Sequence, residues 1–164
     1  MISKNLLDGK KILIVDDEPE VLETLEELLS MCDITKATTF DEAKEFLENQ
    51  DFDLAILDIM GVDGYRLLEI ANERKVIAII LTAHALSVQN TFKAYQEGAA
   101  SYIPKDEMAN IDVFLNDILE AREKGKSFWW RWRKRFGAYY VKKFGTEWKE
   151  KEKGAAFWEQ IGYW

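Results

Sequence analysis

Short apolar runs alternate with amphipathic stretches along the first 121 residues. Runs 11–15, 54–57 and 76–82 are apolar at nearly every position, which is typical of strands covered on both faces. Two more polar runs, 34–37 and 100–103, complete a set of five predicted strands. Between these runs, and after the last one, apolar residues recur every three or four positions, and this spacing predicts five helices.

A strand followed by a helix, repeated five times with short connections, predicts an α/β fold. Parallel strands need crossover helices, and these crossovers take one hand, so we expect a doubly wound, five-stranded parallel sheet. Pro19 suits the first turn of the first predicted helix, and Gly98 suits the end of the fourth.

Polar residues stand where four of the predicted strands end. Asp16 and Asp17 follow the first strand, Asp58 follows the third, Thr82 ends the fourth and Lys105 follows the fifth. Ligands bind at the carboxyl edge of such sheets, so we expect these five side chains to converge on one crevice.

Three convergent carboxylates raise each other's pKa unless they share a cation, and their hard oxygen atoms favour Mg2+. Next to such an ion, one carboxylate can act as a nucleophile towards a phosphoryl group, and Asp58 is the best candidate. Catalysis of this transfer consists mainly of positioning and charge neutralisation, for which Thr82 supplies a hydroxyl and Lys105 an ammonium.

The segments "ILIVDDEPE", "LAILDIM", "IILTAHA" and "SYIPK" together resemble the landmarks of the response-regulator receiver domain, in order, over residues 10–122. The resemblance implies a flavodoxin-like strand order 2-1-3-4-5 and a role in two-component signalling. It also implies a phosphoryl donor, either a histidine kinase or a phosphotransfer protein, and a switch that assists its own phosphoryl transfer rather than an enzyme.

The resemblance assigns roles in metal binding and phosphoryl acceptance. Asp16 and Asp17 match the acidic pair that binds Mg2+, with Asp17 the direct ligand, and Asp58 matches the phospho-accepting aspartate, which also contacts the metal. Met60 occupies the position whose backbone carbonyl completes the metal shell.

The resemblance also implies a conformational switch. Thr82 and Lys105 match the hydroxyl and ammonium that contact the phosphoryl oxygens, and Tyr102 matches the aromatic residue whose rotamer follows phosphorylation. Taken singly, Thr82 could be a strand-end hydroxyl, Lys105 a solvated charge and Tyr102 a half-buried edge aromatic. His84, in the loop after Thr82, could tune dephosphorylation or have no role.

Two departures from the family pattern leave a second interpretation open. The acceptor loop "DIMGVDG" is about two residues shorter than usual, and Gly61 and Gly64 are expected to allow the tighter path because glycine tolerates positive φ. In addition, Pro104 precedes rather than follows Lys105. The alternative is a pseudo-receiver that is not phosphorylated and acts as a constitutive protein-interaction module. A phosphatase with an aspartate nucleophile is disfavoured, because Glu18 and Met60 stand where a second aspartate is needed.

Charge and aromatic content divide the chain near Gly125. Residues 1–121 hold 10 Lys/Arg and 25 Asp/Glu, net −15, whereas 122–164 hold 12 and 5, net +7, so that the whole chain is −8. The second part also carries 13 of the 21 aromatic residues, including all six tryptophans. We therefore predict a receiver domain over 1–124 and a short, aromatic and basic helical extension over 125–164.

The extension has several candidate partners. It could pack on the acidic receiver or on a second copy in a homodimer, bind a partner protein through residues 128–164, or bind an anionic membrane surface as an adaptor. No helix-turn-helix pattern is present, so a nucleic acid partner is not expected. The lone Cys32 and the absence of an apolar run of about 18 residues favour a cytoplasmic protein.

Overall fold

The computed structural model describes residues 5–83 and 88–125. Within them, five strands alternate with five helices. The strands are β1 (Lys11–Val15), β2 (Asp33–Ala37), β3 (Leu54–Leu57), β4 (Ile77–Thr82) and β5 (Ser101–Pro104). The helices are α1 (Pro19–Leu28), α2 (Phe40–Asn49), α3 (Gly64–Glu73), α4 (Val88–Gln96) and α5 (Ile111–Glu123), with a 3-10 segment at Lys105–Asn110 before α5.

The strands form one parallel sheet in the order β2-β1-β3-β4-β5. The three central strands are almost entirely buried, because helices cover both faces of the sheet. The predicted fold and strand order are therefore confirmed, and a shared edge gathers the residues that follow each strand.

Local signals in the sequence explain several helix ends. Pro19 occupies the first turn of α1, as predicted, where its missing N–H costs no hydrogen bond. The Thr39 hydroxyl caps α2 by accepting a hydrogen bond from the Glu42 amide, and the Glu42 carboxylate in return accepts one from the Thr38 amide. Gly98 ends α4 with φ +92°, a left-handed conformation that favours glycine.

The predicted strands match the observed ones within one residue. β2 begins at Asp33 rather than at residue 34, β4 begins at Ile77 rather than at 76, and β5 spans Ser101–Pro104 rather than 100–103. The predicted extension lies outside the described residues from 126 onward, so its helical character and the boundary at 124 stay predictions. Within residues 5–83 and 88–125, no helix is both long and apolar enough to cross a membrane.

Candidate functional site

Asp16 and Asp58 lie side by side at the carboxyl edge of the sheet. In the register of β1 and β3, Val15 is the partner of Leu57, so each aspartate follows the last pair of this ladder. The Asp58 amide donates to the Val15 carbonyl at 3.0 Å, and the Asp16 amide donates to the Ala37 carbonyl at 3.1 Å. Both side chains are buried.

Thr82 and Lys105 reach the same edge from the two neighbouring strands. Thr82 is buried at the end of β4 and is the register partner of Pro104, which Lys105 follows directly. The sequence-predicted residues Asp16, Asp58 and Lys105 are therefore brought into direct proximity, and the strand register places Thr82 at the same edge.

The Lys105 ammonium is shared by three carboxylates. Its nitrogen lies 2.8 Å from Asp16 Oδ2, 3.1 Å from Glu18 Oε1 and 3.8 Å from Asp58 Oδ2. The Glu18 contact was not predicted from the sequence. The only signal for it was a third acid directly after the Asp16–Asp17 pair.

The crowding of carboxylates changes their protonation. Burial, followed by the negative charge of Asp16, raises the pKa of Asp58 from 3.8 to about 6, although Lys105 opposes this rise. Burial also raises the pKa of Asp16, against the hydrogen bond from Lys105. For Lys105, partial burial lowers the pKa, but the hydrogen bond and charge of Asp16 outweigh it and raise the pKa above its usual value.

The donor set of this edge fits a divalent cation. Asp16, Asp17 and Glu18 each present a carboxylate oxygen, and these three atoms lie within 4.8 Å of one another. The charges of Asp16 and Asp17 both act on Asp58, so four carboxylates gather at this edge, and three of them share the Lys105 ammonium at 2.8–3.8 Å. The edge therefore has an excess of negative charge in a partly desolvated place. Hard oxygen ligands with this charge are typical of Mg2+ sites.

The short loop after β3 depends on two glycines for different reasons. Gly61 has φ +79°, and a Cβ atom there would collide with the Asp17 carboxylate. Gly64 was expected to supply a positive φ, but this expectation was wrong. Asp63 adopts the left-handed conformation, with φ 53°, while Gly64 begins α3 so close to Asp58 that a Cβ atom would collide with the Asp58 carbonyl.

The remaining predicted residues occupy different environments. Tyr102 is fully buried in β5 rather than half-buried at an edge, and burial, followed by the nearby Tyr65 hydroxyl, raises its pKa. The Met60 side chain is exposed in the loop after β3, and the metal-binding role of its carbonyl stays a prediction. His84 lies outside the described residues.

A comparison of the sequence with models of known protein families shows which family the chain belongs to. The model of the response regulator receiver domain matches residues 12–115, which is more than half of the chain. The chain belongs to the response regulator receiver domain family. The match runs from β1 into α5 and includes all the site residues described above.

Individual receiver proteins show the same likeness. Two-component response regulator ARR18 of Arabidopsis thaliana is 40% identical over 103 residues, covering 59% of this chain and 16% of the relative. Two-component response regulator ORR24 of Oryza sativa subsp. japonica is 35% identical over 103 residues, with the same coverage. The match thus spans about a sixth of the length of these relatives.

A solved structure supports the same fold. The CheY-like receiver domain protein from Methanospirillum hungatei JF-1 superposes with a TM-score of 0.57 at 28% identity. The superposition covers 68% of this chain and 98% of that chain. The superposition therefore accounts for nearly the whole of that chain and leaves about a third of the present chain unmatched.

Proposed function

We propose that this protein is a two-component response regulator that accepts a phosphoryl group at Asp58 from the phosphohistidine of a histidine kinase or a phosphotransfer protein. The observation that carries this proposal is the contact of Lys105 with both Asp16 and Asp58 at the rim of the sheet, at 2.8 Å and 3.8 Å. A buried nucleophile, an acidic pair and a cation from a distant strand are the parts that phosphoryl transfer needs.

In the proposed transfer, an oxygen atom of the Asp58 carboxylate attacks the phosphorus atom. A P–O bond forms while the P–N bond of the phosphohistidine breaks, and the imidazole nitrogen leaves with the electron pair and takes up a proton from solvent. Asp58 has to be ionised to attack. Its pKa of about 6 still leaves it largely ionised at pH 7.

Lys105 and Thr82 act on the transferred group in this proposal. The Lys105 ammonium, 3.8 Å from Asp58 Oδ2, is near enough to neutralise charge on a phosphoryl oxygen after a small movement of its side chain. Thr82 is buried at the end of β4, beside the strand that carries Asp58, and would contribute a hydroxyl donor. These residues assist a transfer that the protein itself undergoes, so we class it as a switch rather than an enzyme.

The acidic edge would hold Mg2+. Asp16, Asp17 and Asp58, together with the backbone carbonyl of Met60, are the proposed ligands, and Glu18 adds a further carboxylate to the first two. When bound, Mg2+ would neutralise charge on the phosphoryl oxygens and screen the carboxylates from one another. The excess of carboxylates over cations at this edge supports this part of the proposal.

The proposed output is a change on the face formed by α4 and β5. Tyr102 in β5 pairs with Ile80, two residues before Thr82 on the neighbouring strand, so a displacement of Thr82 towards Asp58 would alter the packing next to Tyr102. The Tyr102 ring is fully buried in close-packed surroundings, so it cannot change its rotamer without displacing the side chains around it. The switch therefore links the phosphoryl site to a surface some distance from it.

The test is the incubation of the full chain with acetyl phosphate and Mg2+, followed by intact mass spectrometry. We expect one phosphoryl adduct on the wild-type chain, loss of the adduct in Asp58→Asn and loss of the adduct when EDTA removes the metal. As a matched control, Asp51→Asn changes an exposed aspartate before β3 and should label like the wild type. Absence of an adduct on the wild-type chain, or an equal adduct on Asp58→Asn, would overturn the proposal.

A further inference from the structure

A cavity of about 410 Å3 lies at the end of the sheet opposite the phosphoryl site. Its lining includes residues that stand before or at the beginning of β1, β3 and β4, and residues of the last turn of α5. We call it the basal cavity. Its volume falls within the range of roughly 300–1,000 Å3 that is typical of cavities that bind an organic group.

The lining of the basal cavity combines an apolar part with cationic side chains. The apolar part consists of Leu6, Phe52, Ile77 and Leu119. The cationic part consists of Lys10, Lys75 and Arg122, and none of these forms an ion pair with another residue in the described part of the chain. Apolar walls next to ammonium and guanidinium groups suit an aromatic ring, because cations are attracted to the ring face.

The chain itself leaves α5 at this cavity. Arg122 and Glu123 line the cavity and belong to the last turn of α5, and Gly125 follows with φ +68°, the left-handed conformation that ends a helix. The first tryptophans, Trp129, Trp130 and Trp132, follow within seven residues of Gly125. At about 3.3 Å per residue, a chain of four to seven residues reaches roughly 13–23 Å, which is enough to return to a cavity beside its point of exit.

Charge and the short covalent connection to α5 both favour the C-terminal segment as the occupant of the basal cavity. Residues 126–164 hold 10 Lys/Arg and 4 Asp/Glu, net +6, against 12 and 26, net −14, for residues 1–125, so the C-terminal segment is attracted to the receiver as a whole. Asp53, one oxygen of which accepts a hydrogen bond from the Lys11 amide, and Glu123 supply carboxylates in the cavity lining for Arg131, the arginine between Trp130 and Trp132. A short linker gives the segment a high effective concentration, on the order of millimolar, at the cavity.

We propose that the basal cavity binds a tryptophan side chain from residues 129–132 of the same chain. The occupant is held by the apolar side chains of the lining and by cation–π contacts with Lys10, Lys75 or Arg122. The proposal does not depend on phosphoryl transfer at Asp58, since the cavity and that residue lie at opposite ends of the sheet.

The sequence makes a direct test possible, because all six tryptophans lie in residues 129–164 and none in the receiver domain. Tryptophan fluorescence of the full chain therefore reports only on this segment. We would compare acrylamide quenching and the emission maximum for the wild type, Phe52→Glu and Arg122→Glu. Lys44→Glu, on the exposed side of α2 and outside the cavity lining, is the matched charge reversal.

We expect Phe52→Glu and Arg122→Glu to increase quenching and to shift the emission to longer wavelength, and Lys44→Glu to leave both unchanged. In a chain with Trp129, Trp130 and Trp132 replaced by phenylalanine, Arg122→Glu should have no further effect. Arg122 is exposed, so this variant keeps the test valid even if Phe52→Glu fails to fold.

Equal quenching in the wild type, Phe52→Glu and Arg122→Glu would overturn the proposal. Dependence of the shielding on protein concentration would overturn it too, because it would assign the occupant to a second copy of the chain. The cavity variants should still be labelled at Asp58 by acetyl phosphate, so failure here and failure of the proposed phosphoryl transfer give different results.

Discussion

Lys105 pairs with Asp16 more closely than with Asp58, since its ammonium nitrogen lies 2.8 Å from the first carboxylate and 3.8 Å from the second. Before phosphoryl transfer, the Lys105 ammonium is therefore bound to Asp16, and it would have to move towards Asp58 to contact a phosphoryl group there. The side chain of Lys105 is only 11% exposed, so this ion pair is weakly screened by solvent. Lys105 therefore has two roles, since it stabilises the buried carboxylates of the folded protein and is also the proposed contact of the phosphoryl group.

Replacement of Lys105 by methionine should destabilise the fold. Without the ammonium, the buried carboxylates of Asp16 and Asp58 lose their shared cation, which we expect to lower the free energy of unfolding by about 2–4 kcal/mol at pH 7. Urea denaturation in the presence of EDTA measures this change. Lys44→Met, which removes an exposed pair with Glu48 at 3.8 Å, is the control and should change stability by less than about 1 kcal/mol. Equal effects of the two substitutions would show that Lys105 does not neutralise the site.

Asp58 should make the protein less stable as the pH rises. Its pKa is about 6 in the folded state against 3.8 for the ordinary group, so the folded state binds more protons than the unfolded state between these values. The contribution of Asp58 to stability is therefore present below pH 4 and is lost as the pH rises through 6.

Asp58→Asn tests this linkage because the amide resembles the protonated carboxyl group. Without metal, the variant should be more stable than the wild type at pH 7 by roughly 2–3 kcal/mol, at about 1.4 kcal/mol per unit of pKa. The difference should shrink towards pH 4, and denaturation curves at several pH values measure it. A constant difference across this range would mean that another group carries the pH dependence. Asp51→Asn, at an exposed position, should give no such trend.

The central sheet could be predicted from the sequence because strands covered on both faces need apolar residues at every position. The run 76–82 is such a case, and β4 begins one residue into it. β2 and β5, which lie at the edges of the sheet, have mixed patterns, and the predicted bounds of both were shifted by one residue. The positions of Asp16, Asp58 and Lys105 at one edge followed from the parallel topology alone.

Contacts that depend on the path of a loop could not be predicted in this way. Glu18 meets Lys105 across 87 positions of sequence, and this contact depends on how the chain leaves β1 and β5. Gly64 is needed for space beside the Asp58 carbonyl, which depends on the approach of α3 to β3. A sequence pattern records the composition of a loop but not which backbone atoms it brings together.

Mg2+ should stabilise the protein through Asp17. A ligand that binds only the folded state raises its stability with concentration, so the unfolding temperature of the wild type should rise on titration with Mg2+. Asp17→Asn weakens the donor set of Asp16, Asp17 and Glu18, and we expect the titration to require at least about tenfold more Mg2+, equivalent to about 1.4 kcal/mol. Glu20→Gln, in the first turn of α1, should titrate like the wild type. An unchanged titration for Asp17→Asn would remove Asp17 from the proposed ligands.

Gly61→Ala should damage the metal site beyond its cost in backbone strain. Gly61 has φ +79°, and an added Cβ atom would also collide with the Asp17 carboxylate, whereas Gly9 has φ +76° and no atom within 4 Å of such a Cβ. Gly9→Ala thus isolates the cost of the left-handed conformation, about 1 kcal/mol. We expect both variants to lose this amount in urea denaturation, but only Gly61→Ala to lose the stabilisation by Mg2+ as well, because Asp17 has to move. If Mg2+ stabilises Gly9→Ala and Gly61→Ala equally, the close approach of Gly61 to Asp17 is not needed for metal binding. Glycine at position 61 would then be required only for its left-handed backbone conformation.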